Sequence, residues 1–542
     1  MNRTFLSLLL VLALAPAFAQ TRSRVWCPDL GNGTYRNPVI NADYSDPDVV
    51  CVGDDYYLTA SSFQCMPGLP ILHSRDLVNW SIVGHALHRL FPDADAPEHG
   101  NGVWAPSIRF HDGMFYIYWG DPDRGIFMVK THDPADTWDD PVLVVPGSGM
   151  IDATPLWDDS GRCYLVNAWA NSRCGINSVL TVRELSADGT RAISQPVIVF
   201  DGAQENHTTE GPKFYQHDGW YWIFCPAGGV EQGWQLAMRS RSPYGPYEWK
   251  RVLAQGNTPV NGPHQGAWVH TALGEDWFLH FQDRGCYGRV VHLQPLSWHN
   301  GWPVIGRLPA NGYCGSPCLT YRKPATRQPV AIVNPAESDE FDQPRLGMQW
   351  QWQSDYQQTF GMPTSQGVLR LFTHRLGNGS LWQAPNLLLQ KTPAERFTAT
   401  AKLSFSSKGD GQYGGIVMMG RDYSALVVRR EGSQFLLQRL TALGADEGTM
   451  HQAETLATLP PSAQDTIPYA PALHIYIYMR MRVRDGECTF SYSLDGRRFH
   501  DAGPVFRMRQ GKWVGARMGF VSEETGNHPR RGWLDADWWH VE

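Results

Sequence analysis

The sequence predicts an all-β protein, a five-bladed β-propeller followed by a β-sandwich of the jelly-roll type. Three observations predict this fold. A polar turn followed at once by an aromatic-rich strand recurs five times in the N-terminal part of the chain. No long segment carries a helical period, and the C-terminal part alternates apolar and polar residues. A fixed repeat indicates a repeat architecture, and strict alternation indicates half-buried strands.

The five repeats share a turn that often contains Asp and Gly. Such turns between apolar, aromatic-rich runs are typical of β-hairpins. Successive copies lie roughly 50–60 residues apart, close to the ~40–50-residue period of propeller blades with loops added. Radial closure of five such units removes open sheet edges. The copies are Asp54-Asp55 before Tyr56–Leu58, His111–Gly113 before Met114–Tyr116, Asp158–Gly161 before Arg162–Leu165, His217–Gly219 before Trp220–Trp222, and Gly274–Asp276 before Trp277–Leu279.

The chain divides into a leader and two domains. Arg3, an apolar run and the small-x-small pattern Ala17-Phe18-Ala19 predict a signal peptide over residues 1–19. We therefore expect an exported protein, periplasmic or extracellular, without a membrane anchor. A stretch rich in proline and charge separates the expected propeller, residues 25–325, from the expected sandwich, residues 336–542.

Composition excludes some classes of partner and leaves other questions open. The net charge of −7 and the absence of a basic block argue against nucleic acid as a partner. Aromatic residues make up 12% of the chain, which suits both a large β-rich core and a sugar-binding protein. The ten cysteines can be disulfides or buried free thiols, and Cys314 and Cys318 lack the second ligand pair of a zinc site.

A second pattern lies shortly before each turn. In a propeller the innermost strands line the central channel, so equivalent points on them meet at one mouth. Three repeats place a carboxylate there, Asp46, Asp152 and Glu210, and the other two place Trp104 and His264. Carboxylates on innermost strands are costly to bury unless they are paired. The pattern therefore predicts three functional acids around one cavity.

Three converging acids suit the hydrolysis of a glycosidic bond. That reaction needs one protonated carboxyl and one ionised carboxylate, and a third charge nearby raises the pKa of the acid. Taken alone, Asp46 and Asp152 are better explained as turn or loop residues, and Glu210 is explained equally well either way. Only the joint pattern favours catalysis. His264 is either a core histidine or a ligand of a cation at the propeller axis. Trp104 is either a wall of a sugar site or part of a blade core.

The motifs around these positions resemble those of glycoside hydrolase family 43. The resemblance rests on Arg36-Asn37-Pro38, Ser45–Asp48, Gly102–Ser107, Glu210–Lys213 and Gly288-Arg289. It implies an inverting, exo-acting hydrolase in which Asp46 is the general base and Glu210 the general acid. Asp152 would orient the acid and tune its pKa.

The resemblance also implies the surroundings of the acids. Arg289 would contact the sugar, Phe63 and Trp104 would form walls of the pocket, and His264 would lie near a structural cation, usually calcium. No cofactor is expected for the chemistry. Two departures from the family pattern, Cys65-Met66 and Val290, leave the sugar open between β-D-xylose and α-L-arabinofuranose. The expected substrate is a plant polysaccharide or oligosaccharide, from hemicellulose or pectin side chains.

The C-terminal part resembles the concanavalin-like sandwich attached to many members of this family. The resemblance rests on Asp339–Asp342 and on Asp535–Trp539. We expect a structural role that closes one side of the active-site mouth, because no single row of aromatic residues in the sequence argues for sugar binding.

Two other classes of function use the same scaffold. A non-catalytic carbohydrate-binding propeller would be expected to lose one of the three carboxylates, and a protein-interaction propeller has no reason to place acids at the channel mouth. A related propeller family that cleaves fructosides with retention carries different motifs at all three acids.

Overall fold

The computed structural model describes residues 22–90, 96–310, 312–376, 379–464, 472–526 and 528–542. The predicted signal peptide, residues 1–19, lies outside the described residues. The predicted fold class is confirmed: five four-stranded sheets are followed by two larger sheets that pack face to face. Within the described part of the chain, no helix is long and apolar enough to cross a membrane.

Each propeller blade is built from four strands that are consecutive in the sequence and antiparallel. Short helical segments occur at Asn171–Cys174 and Gly285–Tyr287. The strands of blades 1 to 5 are, in order, Asp48–Val52, Asp55–Thr59, Gly68–Ser74 and Ser81–Leu87; Trp104–His111, Met114–Asp121, Gly125–Thr131 and Val142–Pro146; Met150–Trp157, Cys163–Trp169, Val179–Leu185 and Val197–Asp201; Lys213–His217, Trp220–Ala227, Trp234–Ser240 and Glu248–Leu253; and His264–His270, Asp276–Asp283, Arg289–His299 and Trp302–Ile305.

The five predicted turns join the first and second strands of the five blades. In blades 2 and 4 the turn contains an Asp-Gly pair, and both residues have positive φ, as at Asp112 (49°) and Gly113 (78°). Such a turn needs two left-handed residues, which Asp tolerates and Gly adopts freely. The local sequence therefore sets the register of each hairpin.

The ring is closed by the segment that precedes blade 1. Thr34–Arg36 pairs with Thr320–Arg322, and the backbone of Ile40 bridges Val291 of blade 5. Behind this seam, apolar side chains of blades 1 and 5 form one continuous buried cluster. The last blade is thereby joined to the first without exchange of a strand.

The sandwich consists of two sheets, which we call the docked sheet and the free sheet. Short helical turns lie at Leu381–Gln383 and Ala445–Glu447. The docked sheet contains, in spatial order, Gln351–Trp352, Leu388–Lys391, Arg517–Glu524, Gln412–Met419, Tyr423–Glu431, Gln434–Ala442 and Gln452–Leu459, with His374–Arg375 beside Arg517–Glu524. The free sheet contains Gly361–Pro363, Leu369–Phe372, Trp533–Val541, Arg396–Ser407, Leu473–Arg484, Glu487–Ser493 and His500–Asp501, with Ala463–Gln464 and Phe506–Arg507 at its edges.

The sandwich is fixed directly to the propeller. Met66 and Trp352 exchange two backbone hydrogen bonds, with N···O distances of 3.1 and 2.6 Å. The ring of His99 stacks on Trp382 with centroids 3.5 Å apart. At a second point the hydroxyl of Tyr287 accepts the backbone N–H of a sandwich turn at 2.5 Å. Contacts at separate points hold the relative orientation of the two domains.

All ten cysteines lie among the described residues, and all ten are free thiols. Of the two alternatives left open by the sequence, the structure therefore contains free thiols. No group of three or more His, Cys, Asp or Glu side chains suited to a metal occurs among the residues described, which includes Cys314 and Cys318.

A pair of buried histidines lies within blade 5. His280 and His292 are 0% and 2% exposed, and their rings stack with centroids 5.2 Å apart. Nδ1 of His280 donates to a backbone carbonyl at 3.0 Å, and Nε2 faces the amide nitrogen of Gln294 at 3.2 Å. Nε2 thus accepts a hydrogen bond in the neutral ring. Burial lowers the pKa of His280 to about 4 and that of His292 well below its ordinary value.

We predict that His280 contributes to a loss of stability in mild acid. Between pH about 6.5 and about 4, this imidazole is protonated in the unfolded chain but neutral in the folded chain. The free energy of unfolding therefore falls as pH falls. In His280→Gln the slope of that free energy against pH should decrease by about 1.4 kcal/mol per pH unit in this window. Denaturant titrations at several pH values measure it. The exposed His132→Gln serves as control, and an unchanged slope in His280→Gln would contradict the prediction.

Candidate active site

The innermost strands of all five blades share one backbone feature at the channel mouth. In each blade one residue at the matching point has a positive φ, and in blades 2, 3 and 5 the pairing with the next strand shifts register there. A bulge of this kind re-aims side chains and is frequent beside active sites. The five residues are Asp46 (55°), Ala105 (29°), Asp152 (57°), Gly211 (57°) and Gln265 (27°).

This backbone feature corrects the alignment expected from the sequence. Asp46 and Asp152 occupy the matching point itself, but Glu210 lies one residue earlier, level with Trp104 and His264. Neighbouring residues of an extended chain point to different sides. The three acids thus do not form a symmetric ring. The two aspartates share one placement, and the glutamate enters the cavity from another.

Asp46 is held by hydrogen-bond donors and one cation. Its Oδ2 accepts from the hydroxyls of Ser45 and Ser61 at 2.7 and 2.6 Å, and Oδ1 lies 3.1 Å from Nη1 of Arg289. Its side chain is 5% exposed. Donors and a guanidinium favour the ionised form of a carboxylate. This environment suits a carboxylate that accepts a proton.

Glu210 is the most accessible of the three acids. Its side chain is 27% exposed, and Oε1 lies 2.8 Å from Nε2 of His264, which is fully buried. The contact fixes the direction of the carboxyl group, and Oε2 has no hydrogen-bond partner among the described residues. This environment suits a carboxyl group that meets a substrate.

Asp152 interacts with the charges of both other acids. It is 2% exposed, and its Oδ2 accepts the backbone N–H of Gly211, the residue after Glu210, at 2.7 Å. Burial, and then the charges of Glu210 and Asp46, raise the pKa of Asp152 well above its ordinary value. Asp152 therefore retains a proton under conditions in which an isolated aspartate has lost its proton.

A buried ion cluster supports the acids from below. Oδ2 of Asp48 accepts from Nη1 of Arg109 at 2.6 Å and lies 4.0 Å from Nζ of Lys213. Lys213 is fully buried, donates to the carbonyl of Pro106 at 2.9 Å, and has a pKa that burial lowers. The charges of these groups reach the acids, since Asp152 and Asp46 raise the pKa of Lys213 in turn. The sequence analysis missed this cluster, although Asp48 and Lys213 stand in the motifs of two acids.

Aromatic side chains of both domains lie beside the acids. Phe63 is buried, Trp104 is half-buried, and their rings meet edge to face with centroids 6.4 Å apart. Trp513 of the sandwich approaches Trp104 to 6.1 Å and the guanidinium carbon of Arg289 to 5.9 Å. Trp513 is 47% exposed. It was missed because nothing near it in the sequence marks it, and it reaches the site only through the docking of the domains.

One carboxylate joins this sandwich loop to the cavity. Oδ1 of Asp43 accepts the backbone N–H of Arg289 at 2.8 Å, and Oδ2 accepts that of Gly515 at 2.9 Å. A Cβ at Gly288 would lie 2.4 Å from Asp43, so the seam admits only glycine there. Asp43 thereby fixes both the arginine that contacts Asp46 and the loop, residues 509–516, that carries Trp513.

The predicted calcium near His264 can be tested against the atoms present. Nδ1 of His264 is buried and has no hydrogen-bond partner, so the imidazole has an unused nitrogen at the axis. Calcium prefers oxygen ligands. No cluster of three acidic or histidine side chains surrounds this atom in the described chain. A cation here would depend on carbonyl oxygens or water, and the calcium site stays a prediction.

We predict that Asp152 limits the stability of the fold. Its pKa is higher in the folded than in the unfolded state, so it destabilises the fold increasingly as pH rises above about 4. Asp152→Asn keeps an acceptor for the N–H of Gly211 and removes the charge. Its melting temperature should exceed that of the wild type, and by more at pH 8 than at pH 5. Differential scanning calorimetry measures this, with the exposed Asp159→Asn of the same blade as control. A lower melting temperature at pH 8 would contradict it.

Comparisons with known proteins agree with this architecture. The family model for glycosyl hydrolases family 43 matches residues 35–303, and that for the beta xylosidase C-terminal concanavalin A-like domain matches residues 338–542. A putative beta-xylosidase of Xylanibacter ruminicola is 35% identical, covering 94% of this chain and 89% of its own. A non-reducing end alpha-L-arabinofuranosidase of Bacteroides ovatus is 31% identical, covering 76% and 79%.

Solved structures share the two-domain arrangement. A family 43 protein of Bacillus licheniformis superposes with a TM-score of 0.78 at 26% identity, covering 94% of this chain and 99% of its own. A xylan beta-1,4-xylosidase of Bacillus halodurans has the same fold, with a TM-score of 0.81 at 23% identity and the same coverage. The matches extend over propeller and sandwich together, and the chain belongs to glycoside hydrolase family 43.

Proposed function

We propose that this hydrolase is exo-acting and inverting, and that it releases a terminal pentose from hemicellulose or pectin side chains. The pentose is β-D-xylose or α-L-arabinofuranose. Relatives named for each sugar support this class of substrate: besides the two above, a beta-xylosidase of Formosa agariphila is 31% identical over 96% of this chain. The leader sequence supports export to the periplasm or the medium.

The observation that carries the proposal is the contrast between Asp46 and Glu210. Asp46 is buried among two hydroxyls and a guanidinium, which suits an ionised base, whereas Glu210 is partly exposed and held by a histidine. Two carboxyl groups in environments that differ in this way can be ionised and protonated at the same pH. The proposed roles are those the motifs imply, with Asp46 as base and Glu210 as acid.

In the proposed step, Asp46 removes a proton from a water molecule whose oxygen forms a bond to the anomeric carbon. The bond from that carbon to the leaving oxygen breaks, and Glu210 gives its proton to that oxygen. Water attacks the face opposite the leaving group, so the configuration inverts. We expect the two carboxyl groups to be separated by ~6.5–9.5 Å, which leaves room for that water.

We predict that the two acids respond differently to the leaving group. Glu210→Gln should lower kcat/KM by about 10²–10⁴-fold on a pentose disaccharide, because its leaving oxygen needs a proton. The loss should be far smaller on a dinitrophenyl pentoside, whose leaving group needs none. Asp46→Asn should lose activity on both substrates. Steady-state kinetics on aryl xylosides and aryl arabinofuranosides measure these effects and identify the pentose.

NMR of the first-formed anomer tests the stereochemistry in the same reactions. Release of the inverted anomer is expected. A retained anomer would exclude the role given to Asp46, and a folded wild type inactive on every pentoside would exclude the substrate class.

We predict that Asp43 acts on the reaction through Trp513. In Asp43→Asn the side chain has one acceptor oxygen and one NH₂ group. It can accept only one of the two backbone N–H groups, and its NH₂ then faces the other, so the loop that carries Trp513 should become less ordered. Asp43→Asn and Trp513→Ala should each lower kcat/KM on a pentose disaccharide by about tenfold, the cost of one such contact.

The double variant tests whether the two residues act together. It should be little worse than either single variant, since coupled residues are not additive. Asp54→Asn, an exposed aspartate in the first turn of blade 1, is the control and should leave kcat/KM unchanged. Fully additive losses would show that Asp43 does not act through Trp513.

A further inference from the structure

The free sheet has one face turned away from the sandwich core. Alternate residues of its long strands, such as Ile475 and Ile477, are buried in the core, and the residues between them point outward. No hydrogen bond, ion pair or ring contact joins this outward face to the propeller within the described ranges. We call it the free face and define it by Thr400, Lys402, Ser404, Tyr476, Tyr478, Trp533, Asp535, Trp538 and His540.

The free face carries aromatic rings at separate points. Tyr476 is 55% exposed and has no stacking partner among the described residues. Trp538 is half-buried, stacks on His540 with centroids 4.1 Å apart, and lies 6.0 Å from Tyr478. Trp533 lies beneath the guanidinium of Arg370 at 4.8 Å. The rings are held by their neighbours rather than buried by them.

The register of the strands places these rings along a platform. On the central strand Lys402 pairs with both Trp538 and Tyr478, and Ser404 pairs with Tyr476. Trp533 pairs with a residue four positions along the same strand, roughly 13 Å from the level of Trp538. The platform therefore presents several rings over a length that suits an extended chain rather than a compact ligand.

The charges beside the rings are paired. Nζ of Lys402 lies 2.5 Å from the carboxylate of Asp537, and Arg370 donates to Asp535 at 2.8 Å. His540 lies 2.7 Å from a carboxylate of the same domain. Farther along the strand of Tyr476 and Tyr478, the outward Arg480 donates to Thr400 at 3.0 Å and lies over Phe499, and Arg482 is exposed. Nucleic acid or an anionic surface would need unpaired cations. Along the stretch from Ser406 to Lys402, where the rings lie, this pairing fits a ligand without charge.

The groups between the rings are hydroxyls. Ser404 and the phenols of Tyr476 and Tyr478 interrupt the aromatic surface. The centre of a protein interface is a contiguous apolar patch, and this face has none. Rings spaced by hydroxyls and fixed polar groups match a sugar chain, whose apolar ring faces alternate with hydroxyl edges.

We propose that the free face is a second carbohydrate-binding surface, which holds a neutral pentose polymer. That the polymer is also the enzyme's substrate rests on the function proposed above. The surface lies on a domain that is fixed to the propeller, so a bound chain would be kept near the active site while a free end is processed. Its contribution would appear on polymers and not on small substrates.

Affinity electrophoresis of the full chain in gels containing neutral arabinoxylan tests the proposal. The Glu210→Gln background prevents hydrolysis of the polymer during the run. Tyr476→Ala should weaken binding by about tenfold, the effect of one ring stacked on a sugar, and Tyr476→Ala with Trp538→Ala should abolish it. Tyr476→Phe keeps the ring and should retain binding. Tyr313→Ala, which removes a tyrosine that is 99% exposed on the propeller, is the matched control and should bind like the parent.

Three outcomes would overturn the proposal. Equal retardation of the parent and Tyr476→Ala would show that the free face does not bind the polymer. Stronger, Tyr476-dependent retardation in polygalacturonate would show that the ligand is acidic. Loss of self-association in Tyr476→Ala, measured by sedimentation, without a change in retardation would show that the face joins copies of this chain.

Hydrolysis of aryl pentosides separates this inference from the proposed function. In the wild-type background Tyr476→Ala should keep the full rate on these small substrates and lose rate on the polymer. A protein inactive on all pentosides that still binds arabinoxylan through Tyr476 would refute the function and leave the surface standing. An active enzyme whose polymer binding does not depend on Tyr476 would refute the surface and leave the proposed function standing.

Discussion

The structure depends on bringing three carboxyl groups, two of them buried, together at one mouth of the propeller channel. Like charges in a desolvated site repel, and burial itself disfavours each charge. Neighbouring groups compensate for this cost: Arg289 and two hydroxyls contact Asp46, a histidine contacts Glu210, and buried cations lie nearby. The compensation is incomplete at Asp152, whose pKa is raised. Asp152 therefore keeps a proton where an isolated aspartate would have lost it.

The backbone at the channel mouth is also held in an unfavourable conformation. Positive φ at Asp46, Asp152 and even Ala105 and Gln265 is a strained conformation for residues other than glycine, and it persists only where the surroundings enforce it. Here the ring of blades supplies that enforcement, since each innermost strand is paired on one side and faces the channel on the other. Rigidity of the propeller and strain at its mouth are therefore parts of one arrangement.

The sandwich takes part in the site and is more than a support. Through Asp43, the position of Trp513 is linked to the strand that carries Arg289, which contacts Asp46, so the domain junction is connected to the candidate site. This extends the structural role expected from the sequence, that of closing one side of the mouth. Under the proposal for the free face, the same domain would have a second task, in which its outward rings retain the polymer while the polymer's end is processed.

The sequence by itself determined the elements that depend on neighbours along the chain. Asp-Gly turns before aromatic strands set the hairpins of the five blades, and the matching motifs marked Asp46, Asp152 and Glu210. Only the tertiary structure decided what depends on distant segments. This group contains the one-residue offset of Glu210, the cations Arg109 and Lys213, the position of Trp513, and the rings on the two strands that flank the central strand of the free sheet. Hairpin geometry is local chemistry, whereas these contacts join segments that only ring closure and domain docking bring together.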